Sequence, residues 1–451
     1  MIFRFLVKGG TKMAYWNQFQ ANAASQGFAP LFNMPVSSAK WQVEVGPVAF
    51  ASPVIGNDGT IYIGNLLGEL VAISPTGSIR WKKMLDQRGS IIAGSPAVDR
   101  NGNIYAITTF RAKVRDHRGG STVFSYVAHS KLHSLTPDGQ LRWIFNFPIN
   151  PNRNITDGYT LSSPKIWNAQ EPIIFIPVLF TKLVSRMELL AINQMGQVVN
   201  NVFVSEYPPP PIETSGGVTL GGIFGGIWDF LNGMEFEPSG GGPTLQQLFG
   251  WAEPSIAIAD FGPFSTRPVI VVDDNYKQLS AFRWQNRQFQ PLWNKRSTKP
   301  RLRASPAIFL SSMVAAGQQD GTLAFYDLLT GSELLKPWYK ARKAIQSPPA
   351  SFLSQIYFTA GTWVVALDAG GRLLRQFEMS EHSLGAALGS PAISGNRVYV
   401  NAQEGLHSFS LNLDDVDKNT SIPGGISSPA IADDGTVYII DRNKRLWALG
   451  E

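Results

Sequence analysis

"SPVIGNDGTIYIGNLLGELVAISPTGSIRW", residues 52–81, decides how the rest of the chain is read. It opens on Ser52-Pro53 and a short apolar pair. Asn57-Asp58-Gly59 separates that pair from Ile61-Tyr62-Ile63, and Asp-Gly between β-rich runs is a strong hairpin signal. A second break at Gly68 precedes Leu70-Val71-Ala72-Ile73. A third, at Pro75-Thr76-Gly77, precedes a run that ends on Trp81. The stretch reads as four short antiparallel strands joined by tight turns.

The unit recurs. Ser-Pro followed by small or branched residues stands at Ser52, Ser95, Ser163, Ser305, Ser347, Ser390 and Ser428, with Glu253-Pro254 as a degenerate copy. "RNGNIYAI" (100–107) and "DDGTVYII" (433–440) repeat the turn and second strand. Leu-x-Ala/Ser marks the third strand at Leu70, Leu132, Leu189, Leu279, Leu406 and Leu446. The fourth strand carries an aromatic, clearest in "SIRWKK" (78–83) and "QLRWIF" (140–145), weaker at Trp293, Trp338 and Phe377. A period of about forty residues with four strands per period is that of a propeller blade. Eight anchors predict an all-β fold: one eight-bladed propeller over 39–451, preceded by an arm, 1–38.

The last unit stops after its third strand. "AKWQVEVG" (39–46) stands before the first Ser-Pro, with Trp41 at the aromatic position of a fourth strand that has no blade before it. Residues 39–46 are therefore expected to complete the last blade and close the ring, with Trp41 buried there. Closure removes the open sheet edge.

The chain has 451 residues, 44% of them hydrophobic and 16% charged, which is enough apolar material for a packed core and excludes global disorder. With no cysteine, disulfides, thiol catalysis and cysteine-ligated zinc are excluded. No run is long and apolar enough to span a bilayer. The N-terminus lacks a signal-peptide core and cleavage site, so the expected location is cytoplasmic or assembly-associated. Lys8-Gly9-Gly10 can be encoded by a purine-rich ribosome-binding sequence just before Met13. Met13 is accordingly read as the natural start and 1–12 as non-native.

The unit at 52–81 resembles the pyrroloquinoline-quinone-type propeller repeat. Quinoprotein alcohol dehydrogenases and the propeller lipoprotein of the outer-membrane barrel-assembly machinery share that repeat. The resemblance implies the fold over 39–451 apart from one insert, and leaves function open. The dehydrogenases characteristically carry a vicinal cysteine disulfide against the quinone, a calcium ion held by carboxylate and amide oxygens, and an aspartate base. This chain has no cysteine, and none of the other groups can be placed residue by residue.

No catalytic, cofactor-binding or metal-binding residue is expected. Asp415, Asp417 and Asn419 have the opening spacing of a calcium loop, but Thr420 replaces its glycine and Ile426 its closing glutamate. His133 and His407 fill the variable slot of Leu-x-Ala/Ser, where Val71, Leu190 and Trp447 stand elsewhere, so they read as packing residues. The Ser-Pro serines are read as structural, because a proline at the first residue of an inner strand costs no ladder bond.

Departures from the repeat mark the candidate binding residues, since loops on a rigid scaffold carry function. The insert 205–250 joins a tetraproline to an apolar stripe at helical spacing that includes Phe224, Ile227 and Trp228. Basic residues gather at Arg111, Lys113, Arg115 and Arg118, at Lys295, Arg296, Lys299, Arg301 and Arg303, and at 339–343. These segments, read as loops, all fall between second and third strands or between blades, which emerge on one face. The turns bearing Asp58, Asp99, Asp138, Asp433 and Asp434 fall on the other. The expected function is a non-enzymatic scaffold or adaptor for protein partners in a larger bacterial or bacteriophage assembly, with no cofactor. The alternatives are a quinone-binding oxidoreductase and a salt-dependent binder of nucleic acid or another polyanion. Nucleic acid ranks lower because no reading motif is present.

Overall fold

The computed structural model describes residues 16–19, 21–22, 24–31, 38–48, 51–118, 121–147, 158–181, 185–207, 255–260, 267–274, 277–297, 305–345, 347–379, 389–402, 405–414, 416–419, 421–425 and 427–450. Along 111–128 it describes the backbone path alone. The described strands form eight four-stranded antiparallel sheets. Blade one is Val54–Ile55, Ile61–Gly64, Glu69–Ile73 and Ile79–Met84, in that spatial order.

Each sheet is buried on both faces by its neighbours, which is why the three inner strands are apolar at nearly every position. In blade one, Ile55, Ile61, Ile63, Val71 and Ile73 pack against blade eight. The alternate residues Val54, Tyr62, Leu70 and Ala72 pack against blade two. The outermost strand meets solvent, and residues 79–84 alternate between exposed and half-buried.

The fourth-strand tryptophan explains two sequence signatures at once. Trp41, Trp81, Trp143 and Trp293 each lie opposite the small residue of Leu-x-Ala/Ser: Ala448, Ala72, Ser134 and Ala281. A small side chain leaves room for the indole. Each indole also reaches the next blade, where its Nε1–H donates to a turn carbonyl: Pro75, Pro137, Gln194 and Leu328, at 2.8–3.1 Å. The ring lies over a turn glycine, Gly77, Gly139, Gly196 or Gly331, all with positive φ. Trp338 departs from this pattern. Its Nε1–H returns to Leu334 of its own strand, and Leu335 takes the place over Gly371.

The ring closes as expected. Ala39–Glu44 pairs with Arg445–Leu449 as the fourth strand of blade eight. Near the axis a second closure runs through the Ser-Pro serines. Ser52 N–H donates to Ser95 Oγ (2.7 Å), Ser95 N–H to Ser163 Oγ (2.8 Å), Ser390 N–H to Ser428 Oγ (2.9 Å) and Ser428 N–H to Ser52 Oγ (3.0 Å). The serine thus satisfies an inner-edge amide of the preceding blade, while the proline beside it brings no amide needing a partner.

Two expectations are corrected. Trp41 is half-buried, not enclosed, because its site is a clamp at the rim between blades eight and one. The segment 110–118 is strand, not loop. Ile104–Arg118 and Ser121–Leu135 pair residue for residue as a long ribbon on the second-to-third-strand side of blade two. Arg111, Lys113 and Arg115 stand at every second position, an alternation that fits a strand as well as a polar loop.

Candidate binding sites: the basic face and the axial channel

Strand direction assigns each connection to one face of the disc. Turns between first and second and between third and fourth strands share a face, and the remaining connections share the other. On the first face the acidic residues mostly hold their own turns. Asp58 accepts from Thr60 N–H and Arg80, and Asp99 from Asn101 N–H and Asn103 N–H. Asp368 accepts from Gly370 N–H and Arg372 N–H, which hold its carboxyl below the ordinary range.

On the second face, Lys295 and Arg296 end the outer strand of blade four and Lys340 that of blade five. Lys340 pairs with Asp320, and Arg342 lies 4.7 Å from the centre of the Trp363 ring. The ribbon carrying Arg111, Lys113, Arg115 and Arg118 projects from this same face; the side chains of those four lie outside the described set. Lys299, Arg301 and Arg303, and Phe224, Ile227 and Trp228 of the insert, lie outside the described residues.

A polar cluster braces the base of the ribbon. Asp86 takes an ion pair from Lys131 at 2.6 Å, and Thr108 Oγ1 bridges Asp86 (3.3 Å) and His133 Nε2 (2.8 Å). Burial alone would raise the Asp86 pKa, but hydrogen bonds from Lys131 and Gln87 N–H outweigh it and hold the carboxyl low. Burial pushes His133 down to about 4, so the ring is neutral at pH 7. Thr108 and His133 are both buried, so these bonds brace the base of the ribbon from within the sheet.

The arm provides the feature that sequence reasoning missed. The described residues of 16–31 follow the inner strands of blades one to seven around the axis, with Ser25 on blade four and Ala24 on blade five. Ile55 N–H donates to Trp16 O (2.8 Å) and Val98 N–H to Asn17 O (2.8 Å). The Gln18 side-chain amide exchanges two bonds with the Ile166 peptide, at 3.0 and 3.3 Å. Ser25 Oγ donates to Ile256 O, at 3.5 Å. Ile308 N–H, Ser351 N–H and Ile393 N–H then donate to Ala24, Gln26 and Gly27 carbonyls, at 3.0, 2.8 and 2.7 Å. These partners recur at one repeat position, about three residues after the serine, so the arm lies roughly 10 Å along the axis from the serine bonds.

Lys165 stands in this channel. The corresponding residue is Val54, Ala97, Ala307, Ala392 or Ala430 in other blades, and that column was the signal available in the sequence. Its Nζ donates to Phe19 O (2.5 Å) and Asn22 O (2.9 Å), and burial pushes its pKa down to about 7. These residues do not fit the quinone–calcium centre of the dehydrogenases. The axial space holds the chain's own arm, its wall carries an amine that would repel a cation, and no group of three or more His, Asp or Glu able to hold a metal occurs among the described residues. Nor, among them, is any helix long and apolar enough to cross a membrane.

The fold and its repeat define the class: an eight-bladed β-propeller built of pyrroloquinoline-quinone-type repeats. Residues 259–451 match the family model described as outer membrane protein assembly factor BamB. Among solved structures the chain resembles BamB from Moraxella catarrhalis (12% identity, TM-score 0.54, covering 92% of this chain and 99% of that one). It also resembles the quinohemoprotein alcohol dehydrogenase ADHIIG from Pseudomonas putida HK5 (12%, TM-score 0.60, 97% and 80%). A third is the computationally designed Ika8 protein (12%, TM-score 0.53, 90% and 99%). At such identities the likeness is one of fold. No curated protein matches the chain in sequence.

Proposed function

We propose that this protein is a non-enzymatic adaptor that holds a protein partner in a larger bacterial or bacteriophage assembly, cytoplasmic or assembly-associated. The observation that carries the reading is the filled channel. A propeller's axial space is its natural concave site, and here residues 16–31 occupy it around Lys165. Binding then falls to the faces, and the second face carries Lys295, Arg296, Arg342 and Lys343 as well as the ribbon that projects from blade two. A cationic face suits an acidic partner, whose approach it would steer. One fold relative named for assembly, BamB, is compatible with this role; another, named as a dehydrogenase, keeps quinone chemistry as the reading to test against.

The test has two arms. Purified protein is titrated with pyrroloquinoline quinone and calcium and followed by absorbance and by dye-linked alcohol oxidation; stoichiometric quinone binding or turnover overturns the adaptor reading. Partner capture from the native host is then compared for the full chain and a chain lacking 208–250. With the partner in hand, replacing Arg111, Lys113, Arg301 and Arg303 by Ser slows association, and replacing Phe224, Ile227 and Trp228 by Ala speeds dissociation. Steeply salt-dependent binding of DNA with no protein partner would favour the polyanion reading.

A further inference from the structure

We propose that the inner rim of the ring is a binding site for a peptide segment, filled in cis by the described residues of 16–31, with Lys165 as its polar anchor. The rim offers the generic chemistry of a sheet edge. The amides of Ile55, Val98, Ile308, Ser351 and Ile393 all meet backbone carbonyls of the arm, which any peptide on the same path supplies. Within the arm, Trp16, Ala21, Ser25 and Ala29 are each 1% exposed or less.

The rim imposes the path on the occupant. Ala21 and Ser25 take φ of 69° and 56°, a left-handed conformation that is unfavourable for an L-residue. Such a conformation persists only where the surroundings over-determine it. Lys165 gives the second, independent sign. A fully buried amine at a position held by Val or Ala in five other blades is unfavourable without hydrogen-bond partners. It donates to two arm carbonyls, Phe19 O and Asn22 O, with the Phe19 ring 5.8 Å away. The site therefore takes a peptide that can adopt the arm's turns, with small residues at the places of Ala21 and Ser25, a carbonyl pair turned toward Lys165, and an amide side chain at the place of Gln18. The proposal stands whether or not the basic face binds a partner.

The experiment uses the full chain with a protease site in place of residues 32–37, folded and then cut. The arm should co-elute with the ring on gel filtration. A fluorescent peptide of residues 13–31 in excess should exchange into it at one per ring. Lys165→Met should speed arm release at least tenfold, with the ring's unfolding transition retained. Should Lys165→Met fail to fold, the labelled peptide carrying Gln18→Ala serves instead, and must compete at least tenfold more weakly. Arm loss on cutting with the ring intact, unfolding of the ring as the arm leaves, or a Gln18→Ala peptide that competes equally would each overturn the proposal. Unchanged release from a folded Lys165→Met ring would remove Lys165 as the anchor.

Discussion

At Lys165 an amine sits where Val54, Ala97 and Ala307 stand in sister blades, and burial is the force that moves its pKa, from 10.5 to about 7. With the arm released the amine meets water and returns to its ordinary range. The docked state then binds fewer protons between about pH 7 and 10.5, so docking strengthens as pH rises through that window and is flat below it. Hydrogen exchange at the Ile166 and Ile308 amides, corrected for intrinsic rate, should show protection climbing from pH 7 to 9.5 in the parent and level in Lys165→Met. A level parent profile would contradict the assignment. His133 gives a slope of the same sign in a lower pH window. Its pKa falls from 6.5 to about 4 on folding, again by burial, so stability declines as pH falls through 6.5 toward 4. Thermal melts between pH 7 and 4 should show that loss in the parent, and a smaller one in His133→Gln, which has no ring to protonate.

At the scale of the element, the clamp between outer strand and neighbouring turn is the device that sets blade against blade. A Cβ on Gly77 would lie 2.7 Å from the Trp41 ring, and its φ is +88°, so Gly77→Ala suffers both collision and strain. Trp41→Ala should cost about 2–3 kcal/mol, below the 3–5 kcal/mol of an enclosed aromatic, because the ring is half-exposed. In the Trp41→Ala background the collision disappears, and Gly77→Ala should retain only a strain cost of roughly 1 kcal/mol. Urea denaturation of the four-membered cycle measures the coupling; additive costs would mean the two do not touch. Fourth-strand Trp and third-strand Ala or Ser were legible because they face each other and recur. The segment 110–118 was misread as a loop because closely spaced basic residues look like a solvated turn. The arm left no trace in periodicity. It is neither helix nor strand, and it docks largely by backbone carbonyls, which every sequence possesses.

On the scale of the molecule, closure is made three times over by residues far apart in sequence. The outer strand Ala39–Glu44 pairs with Arg445–Leu449, Ser428 N–H reaches Ser52 Oγ across 376 residues, and the arm binds seven blades from within. The eight-bladed count and the closing strand were readable because a repeat that ends one strand short demands its missing strand elsewhere. The inner closure was not, since Ser-Pro announces a strand start but not the next blade's serine. These layers should fail separately. Removing residues 1–31 bares the inner edges but leaves the outer pairing, so the product should stay monomeric and unfold in one transition at a lower temperature. Removing residues 1–46 also bares the Arg445–Leu449 edge, a template for pairing with another chain. That product should lose its single transition and self-associate. Light scattering behind gel filtration and calorimetry compare the two; identical behaviour would mean that the strand 39–44 does not close the ring.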